Sequence, residues 1–482
     1  MNTPRTQSLV VLGMLALIGL ALLVPTTKVG LAVTLVVALV ALFQPKAGLI
    51  ALFGYFPVRP VLQELNPALK LAGDLIVLAV FARVIWDNRT NIKSLFQFKI
   101  FEIAFFCFLA IGALSAYFVT NIGISAIVFE LRAFLIMYLV YYSLRRISVT
   151  KQDILQVVWL TFAFGILLAV QAIIEKLSLR TMFMPDHWVY RQLSTNNFQR
   201  VYGLLNNPNI LALYLSFVFM LTMYGYKSLV SRVAKVLVWI GLTLMMGVWI
   251  LTLSRGAWIA LLIASVVYVL FTRRWKVVAA AALVIAIGYS VVTVPVTKAT
   301  TYYKTHNYFT EKKTVNNTVQ KRKQKVTIHR VKEVIEKSTY EKSLESGRLY
   351  VINKGFAIWK DHPVTGTGFA TFGDSATKSY PSPIYKTYQL PTGLFTDNQY
   401  IQVLVETGAV GALFFGIFLL GLLYQSFRLR KVHPFAIPGL AVIVAALWCG
   451  LLYNIWEDKT ISLFLFAILG IVMSKKDTKS IV

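Results

Sequence analysis

The fold class this chain predicts is all-α and polytopic in a membrane, and three observations predict it. Hydrophobic residues make up 57% of the 482, with a mean hydropathy of +0.67. Apolar runs of 12 to 24 residues recur from Ser8 to Met473, which suits membrane helices and would not be tolerated in a soluble chain of this size. The formal charge of +28, from 48 Lys and Arg against 20 Asp and Glu, lies mostly in segments flanking those runs. That placement is an orientation signal and removes the need to invoke nucleic acid.

About fourteen spans (12–14) are expected, beginning with 8–25, whose run from Leu9 to Val24 lacks a small-residue cleavage site and reads as a retained helix. Then come 29–43, 47–58, 67–86, 100–120, 123–143 and 153–175, an N-terminal bundle over 1–175. Spans 208–226, 235–252, 256–271 and 276–294 form a core over 176–294, and spans 398–424, 435–455 and 459–474 close the chain over 397–482. With the N-terminus inside, the short inner segments hold twenty basic residues and the short outer ones five: Lys28, Arg59, Lys70, Arg255 and Lys459. Both termini are therefore expected in the cytoplasm, in a multi-pass protein of the plasma membrane. Span 47–58 is short and weak, but dropping it alone would invert every later loop. The only cysteines, Cys107 and Cys449, each sit in an apolar run, so no disulfide framework is implied.

Two longer segments fall outside in this topology: 176–207, and one large extracytoplasmic loop over 295–396. The basic run Lys321-Arg322-Lys323-Gln324-Lys325 in that loop reads as a solvated helix face. Ser346 is a plausible cap for an amphipathic helix carrying Leu349, Ile352, Phe356 and Trp359, expected to lie on the membrane. His362-Pro363-Val364-Thr365-Gly366-Thr367-Gly368 stops it, since proline disfavours helix in the residue before it and glycines permit turn dihedrals.

Ser254-Arg255-Gly256 interrupts an apolar stretch, and a charge at bilayer depth costs at least ~2.5 to 3.5 kcal/mol unless it snorkels or is partnered. Arg59, Arg191, Arg200, Arg255 and the pair Asp397-Asn398 come from five segments and share the outer face. Guanidinium forks bind phosphate oxygens bidentately, so the arginines suit a lipid-linked diphosphate, with Arg255 the strongest candidate. Asp397 is an outer carboxylate at a span start, where it is either a general base or a helix N-cap. Glu406 faces away from it and is expected to satisfy a buried arginine such as Arg132. Glu130 with Arg132, and Asp74 with Arg83, read as internal pairs. No nucleotide-binding motif is present, and His187, His306, His329, His362 and His433 lack metal-ligand spacing, so neither metal nor cofactor is expected.

Three signatures together resemble the O-antigen ligase and polymerase superfamily of bacterial surface-polysaccharide enzymes. They are Arg200-Val201-Tyr202-Gly203 with Asn206-Asn207-Pro208-Asn209; Leu253-Ser254-Arg255-Gly256-Ala257-Trp258; and Arg348, Asp361-His362-Pro363, Gly366-Thr367-Gly368 with Asp397-Asn398, Gly408 and Gly411. The resemblance implies that Arg200 and Arg255 hold the diphosphate of an undecaprenyl-diphosphate-linked glycan and that position 397 is catalytic. Arg59, Arg191, Arg348, His362 and Asn398 are candidate supporting residues. Ligases of the family carry histidine immediately before the asparagine, where this chain carries Asp397, so polymerase-like members, such as the teichuronic acid type, match better. The expected activity is metal-independent, GT-C-like glycosyl transfer with inversion, in which the partners are a lipid-linked donor, a glycan acceptor and the bilayer. The alternatives are a ligase acting on a non-lipid or protein acceptor, and a flippase for the lipid-linked glycan.

Overall fold

The computed structural model describes residues 4–191, 193, 195–306 and 347–474, and among them the regular structure is helical, without strands. The basic run 321–325, His329 and the Ser346 cap lie outside the described residues. Each expected span is a helix. They are α1 (Pro4–Leu20), α2 (Thr27–Phe43), α3 (Pro45–Tyr55), α4 (Ala72–Asp87), α5 (Ile100–Phe118), α6 (Ile124–Leu144) and α7 (Lys151–Leu177), followed by α8 (Pro208–Gly225), α9 (Arg232–Leu251), α10 (Arg255–Thr272) and α11 (Trp275–Gly288). The α11 helix continues through a π turn at Tyr289–Thr293 into α12 (Val294–Thr305). An outlying helix, α13 (Arg348–Asp361), precedes α14 (Gln399–Arg428), α15 (Ala436–Gly450) and α16 (Lys459–Val472).

Eight of the helices are at least 18 residues long and apolar enough to cross a membrane, and α1, α2, α15 and α16 are shorter apolar helices. Helix α3, the weak span of the sequence, has 11 residues, and every one from Ala47 to Tyr55 is buried. At ~1.5 Å per residue it is roughly 16 Å long, against a hydrocarbon core of ~30 Å.

Local chemistry sets the helix starts. Thr150 and Asp153 form a reciprocal capping box at α7, and Asp458 caps α16 by accepting from Ile461 N at 3.0 Å. The centre of the bundle is aromatic: Phe105 and Phe418 lie 4.8 Å apart, Phe108 and Phe415 5.0 Å, and Phe418 and Trp456 5.5 Å, joining α5, α14 and the turn before α16. Glu102 on α5 is fully buried and accepts from Arg145 at 2.8 Å and from the Tyr138 hydroxyl at 2.9 Å, so its charge is both paired and hydrogen-bonded. Cys107 and Cys449 are free.

As expected, α13 stops at Asp361 and a turn follows over 363–365, but the segment then continues past that turn. Residues 363–377 run into the bundle between α5 and the middle of α14. Thr367 N donates to Val405 O at 2.9 Å, Gly368 N to Glu406 O at 2.7 Å and Phe369 N to Gly112 O at 3.0 Å. From the other side, Ala409 N donates to Pro363 O at 2.8 Å and Val410 N to Val364 O at 3.1 Å. These bonds repair a break in α14 at Gly408, whose φ of 61° takes it out of helical geometry. Non-helical backbone at membrane depth is tolerated only where protein satisfies its polar groups. Glycine is required at the contact because a Cβ on Gly366 would lie 2.5 Å from Gly408 N.

The outlying helix α13 buries Val351, Gly355 and Ile358 against Phe372, Ile401 and Val405. That stripe is offset from the expected one. Phe356 and Val364 remain exposed beside it.

Candidate functional site

Three chain turns build the site, and each holds a non-glycine residue in the left-handed region. Asn206 (φ 52°) precedes α8, Leu253 (φ 51°) precedes α10 and Asp397 (φ 46°) precedes α14. Asparagine and aspartate reach this region comparatively easily, whereas leucine there is strained at a cost of about 1–2 kcal/mol. Each turn delivers a helix N-terminus to the same region. Asn207 caps α8, its side-chain oxygen accepting from Asn209 N at 2.9 Å and Ile210 N at 3.3 Å, with Pro208 at the first helical position. Asn398 caps α14 in the same way, accepting from Tyr400 N and Ile401 N, both at 3.1 Å. The cap is therefore Asn398, and Asp397 stands outside the helix.

Arg200 ties two of the turns together. Its Nε donates to Thr252 O at 2.8 Å, and its Nη2 donates to Ser254 Oγ at 2.7 Å and to Asn209 Oδ1 at 2.5 Å. Ser254 in turn donates within reach of Asn209 Oδ1 (2.8 Å) and Pro208 O (3.0 Å). The Arg200, Asn-Pro-Asn and Ser-Arg-Gly signatures thus form one bonded unit. Ser254 is buried in making it, while its neighbour Arg255 is exposed and forms no hydrogen bond or ion pair among the described residues. The backbone N–H groups of Arg255 and Gly256 are likewise unbonded among those residues, leaving the start of α10 with donors and the positive end of its dipole.

Asp397 is partly buried and makes no hydrogen bond among the described residues. Burial pushes its carboxyl above the ordinary aspartate range, and the charges of Arg348, Lys378 and Arg200 pull against that rise. Those three cations are thus its electrostatic surroundings. Arg348 opens α13 and donates to Leu452 O at 3.2 Å, with its guanidinium 5.8 Å from the Tyr453 ring. Lys378 sits 3.8 Å over the Phe395 ring.

The last turn of α15 and the segment after it join the starts of α10, α13 and α14, and no motif announced this. Trp448 Nε1 donates to Gly256 O at 3.1 Å, Leu451 O accepts from Asn398 at 3.2 Å, and Leu452 O accepts from Arg348. Gly256 packs directly against the Tyr453 hydroxyl, so a side chain there would displace it.

The other expected residues are distributed differently. Arg191 is exposed and lies with Arg180 and Arg200 around Tyr202. Arg180 was not among the expected residues; its guanidinium stacks 4.3 Å from the Tyr202 ring and pairs with Glu175 at 2.7 Å. Arg59 belongs to a separate cationic group with Lys70, Arg132 and Lys459 around Asp74. His362 ends α13 beside Pro363, which is bonded to Ala409, roughly 15 Å along α14 from its start.

The internal pairs also differ from expectation. Asp74 pairs with Lys459 (2.5 Å) and Arg132 (3.3 Å), while Arg83 pairs with Asp87 one turn on (2.8 Å). Among the described residues, neither Glu130 nor Glu406 pairs with an arginine. Instead Glu130, Asp374, Glu406 and Glu457 gather at the inner end of the re-entrant segment. Glu406 accepts from Phe372 N at 3.0 Å, Glu457 from Ser375 N at 2.8 Å, Glu130 from Ala376 N at 3.1 Å, and Asp374 from Ala370 N at 2.6 Å and Thr377 N at 2.8 Å. Buried backbone donors need acceptors, and these carboxylates supply them. They are structural acceptors, remote in kind from the exposed Arg255. No group of three or more His, Cys, Asp or Glu with metal-holding geometry occurs among the described residues.

Residues 240–416 match a family model described as O-Antigen ligase. The match includes the Ser-Arg-Gly turn, the re-entrant segment and Asp397-Asn398. No curated protein matches the chain.

Proposed function

We propose that this chain is a membrane glycosyltransferase that extends a cell-surface polysaccharide, moving glycan from undecaprenyl diphosphate to an acceptor sugar hydroxyl at the outer face. The observation that carries the reading is the bonded unit of Arg200, Asn209 and Ser254, because it ties the turn that carries Arg255 to Arg200, whose charge reaches Asp397. Arg255 and the free N–H groups at the start of α10 bind the donor diphosphate. Arg200 acts mainly by holding the turn, with its charge reaching Asp397.

In the transfer, Asp397 takes the proton of the acceptor hydroxyl as that oxygen bonds to the anomeric carbon. The bond from that carbon to the diphosphate breaks, and the electron pair leaves with the diphosphate, whose charge Arg255 stabilises. A single displacement inverts the anomeric centre. Arg348 and Lys378 set the charge around Asp397, and Asn398 fixes the backbone beneath it. An acceptor that is itself lipid-linked makes the enzyme a polymerase, of the kind that builds acidic cell-wall polymers such as teichuronic acid.

The description of the matching family favours a second reading, a ligase that hands finished glycan to another acceptor. Purified protein in liposomes with lipid-linked repeat units separates the two. Laddered lipid-linked products support the polymerase; reaction only after a second acceptor is added supports the ligase. Unchanged product with both Arg255→Ala and Asp397→Asn would overturn the catalytic reading of these residues, and loss of membrane crossing with intact polymerisation from outside-loaded donor would favour transport.

A further inference from the structure

The bundle contains a second candidate site at its opposite end. Helix α8 runs from Pro208, in the site above, to Gly225, and its 18 residues place the two ends ~27 Å apart. Around its far end, together with the far ends of α10 and α14 and the starts of α3, α7, α11 and α15, lies a cavity of about 800 Å³. Its inner wall is apolar, with Phe53, Phe217, Ala264 and Phe464 at depth. Its charged lining is Lys46, Lys151, Lys227, Arg274 and Arg430 against a single carboxylate, Asp153. Asp153 is already engaged by Lys46 at 3.0 Å, by Gln7 and by the cap of α7. Lys227 and Arg274 are exposed and have no ion pair among the described residues.

An independent feature points to what the cavity takes. His433 lines it and is 4% exposed. Its Nδ1 accepts from Phe435 N at 3.2 Å, which puts the ring proton on Nε2, and Nε2 is buried with no hydrogen-bond partner. A buried N–H donor without an acceptor is costly, so a ligand oxygen at this position would relieve it. Burial pushes His433 down to about 4, which keeps it an uncharged donor at neutral pH.

We propose that this cavity binds an anionic glycerophospholipid of the bilayer leaflet at that end. Its acyl chains fill the apolar interior, while its phosphate lies against Lys227 and Arg274 and accepts from His433 Nε2. The excess of cations selects a head group with net negative charge over a zwitterionic one. The site is separate from the diphosphate site and does not rest on the proposed activity.

Native mass spectrometry of the purified full chain, titrated with phosphatidylglycerol and with phosphatidylcholine, tests the assignment. One phosphatidylglycerol should be retained per chain, and its binding should weaken about tenfold or more in K227E/R274E, two exposed positions whose exchange leaves the fold intact. The thermal melting of the unliganded double variant serves as the folding control. Equal retention of the two lipids, retention unchanged by the charge reversal in a variant that melts normally, or a polyprenyl phosphate as the co-purifying species would each overturn it.

Discussion

Arg255 was legible as a residue because a lone guanidinium between apolar runs demands an explanation, and it is left exposed, with no ion pair among the described residues. The partners of Ser254 were not legible, since Asn209 is 45 residues away and Arg200 54. Local spacing carries no information about such bonds. Replacing the exposed Arg255 by alanine removes no hydrogen bond or ion pair among the described residues, so stability should change by less than about 0.5 kcal/mol. Initial transfer rates should nevertheless fall by about 100-fold or more, as expected for loss of a transition-state cation. A fall in melting temperature parallel to the rate loss would contradict this assignment. Asp397 gives a second expectation with a definite sign. The reactive base is the ionised form, and burial raises its pKa, so the acidic limb of kcat/KM should lie above the ordinary aspartate value of about 3.9. Arg348 and Lys378 oppose that rise, so Lys378→Met or Arg348→Gln should move the limb to still higher pH. A pH–rate profile that stays in place in both variants would remove Asp397 from the role of base.

At the scale of elements, the helices were legible because apolar runs bounded by basic segments and by Asn, Thr and Asp caps mark them directly. The re-entrant segment was not. His362-Pro363 and the following glycines look like a turn, and nothing in their order reveals that Gly366 meets Gly408 or that Glu130, Glu406 and Glu457 accept from the intervening backbone. Glu406 is the instructive case: a buried carboxylate suggested an arginine, whereas its partners are the N–H groups of Thr371 and Phe372 with the Gln402 amide. Gly366→Ala would add a methyl 2.5 Å from Gly408 N at a φ of 71°. The backbone on both sides must then shift, and a loss of roughly 2–4 kcal/mol is expected from overpacking and strain together. Thermal unfolding in detergent measures it. Gly393→Ala is the matched control, since Gly393 also has positive φ (78°) but nothing lies within 4 Å of its Cβ. Gly393→Ala should therefore cost only the dihedral strain, and equal losses in the two variants would show that the contact with α14 contributes nothing.

At the scale of the whole molecule, topology turns on α3. Its 11 residues are too few to cross a hydrocarbon core of ~30 Å as an isolated helix, yet the topology expected from the basic residues has it reverse the chain's direction. The structure offers a physical route, because α3 is enclosed by protein and its ends need not reach lipid head groups directly. Two exposed positions decide the matter: Lys28, in the first turn of α2, and Arg89, between α4 and α5. Three helices, α2, α3 and α4, separate them. If all three cross, the two positions face opposite sides of the membrane; if α3 does not, they face the same side. Single cysteines can be introduced as Lys28→Cys and Arg89→Cys in a Cys107→Ala background, where the remaining Cys449 is buried. On intact cells a membrane-impermeant maleimide should label Lys28→Cys, and it should label Arg89→Cys only after permeabilisation. Labelling of both from outside would remove α3 from the set of crossing helices. It would also put the basic segments that follow on the outer face and take the site around Arg255 and Asp397 to the inner one, where an outward-facing glycan could not be extended.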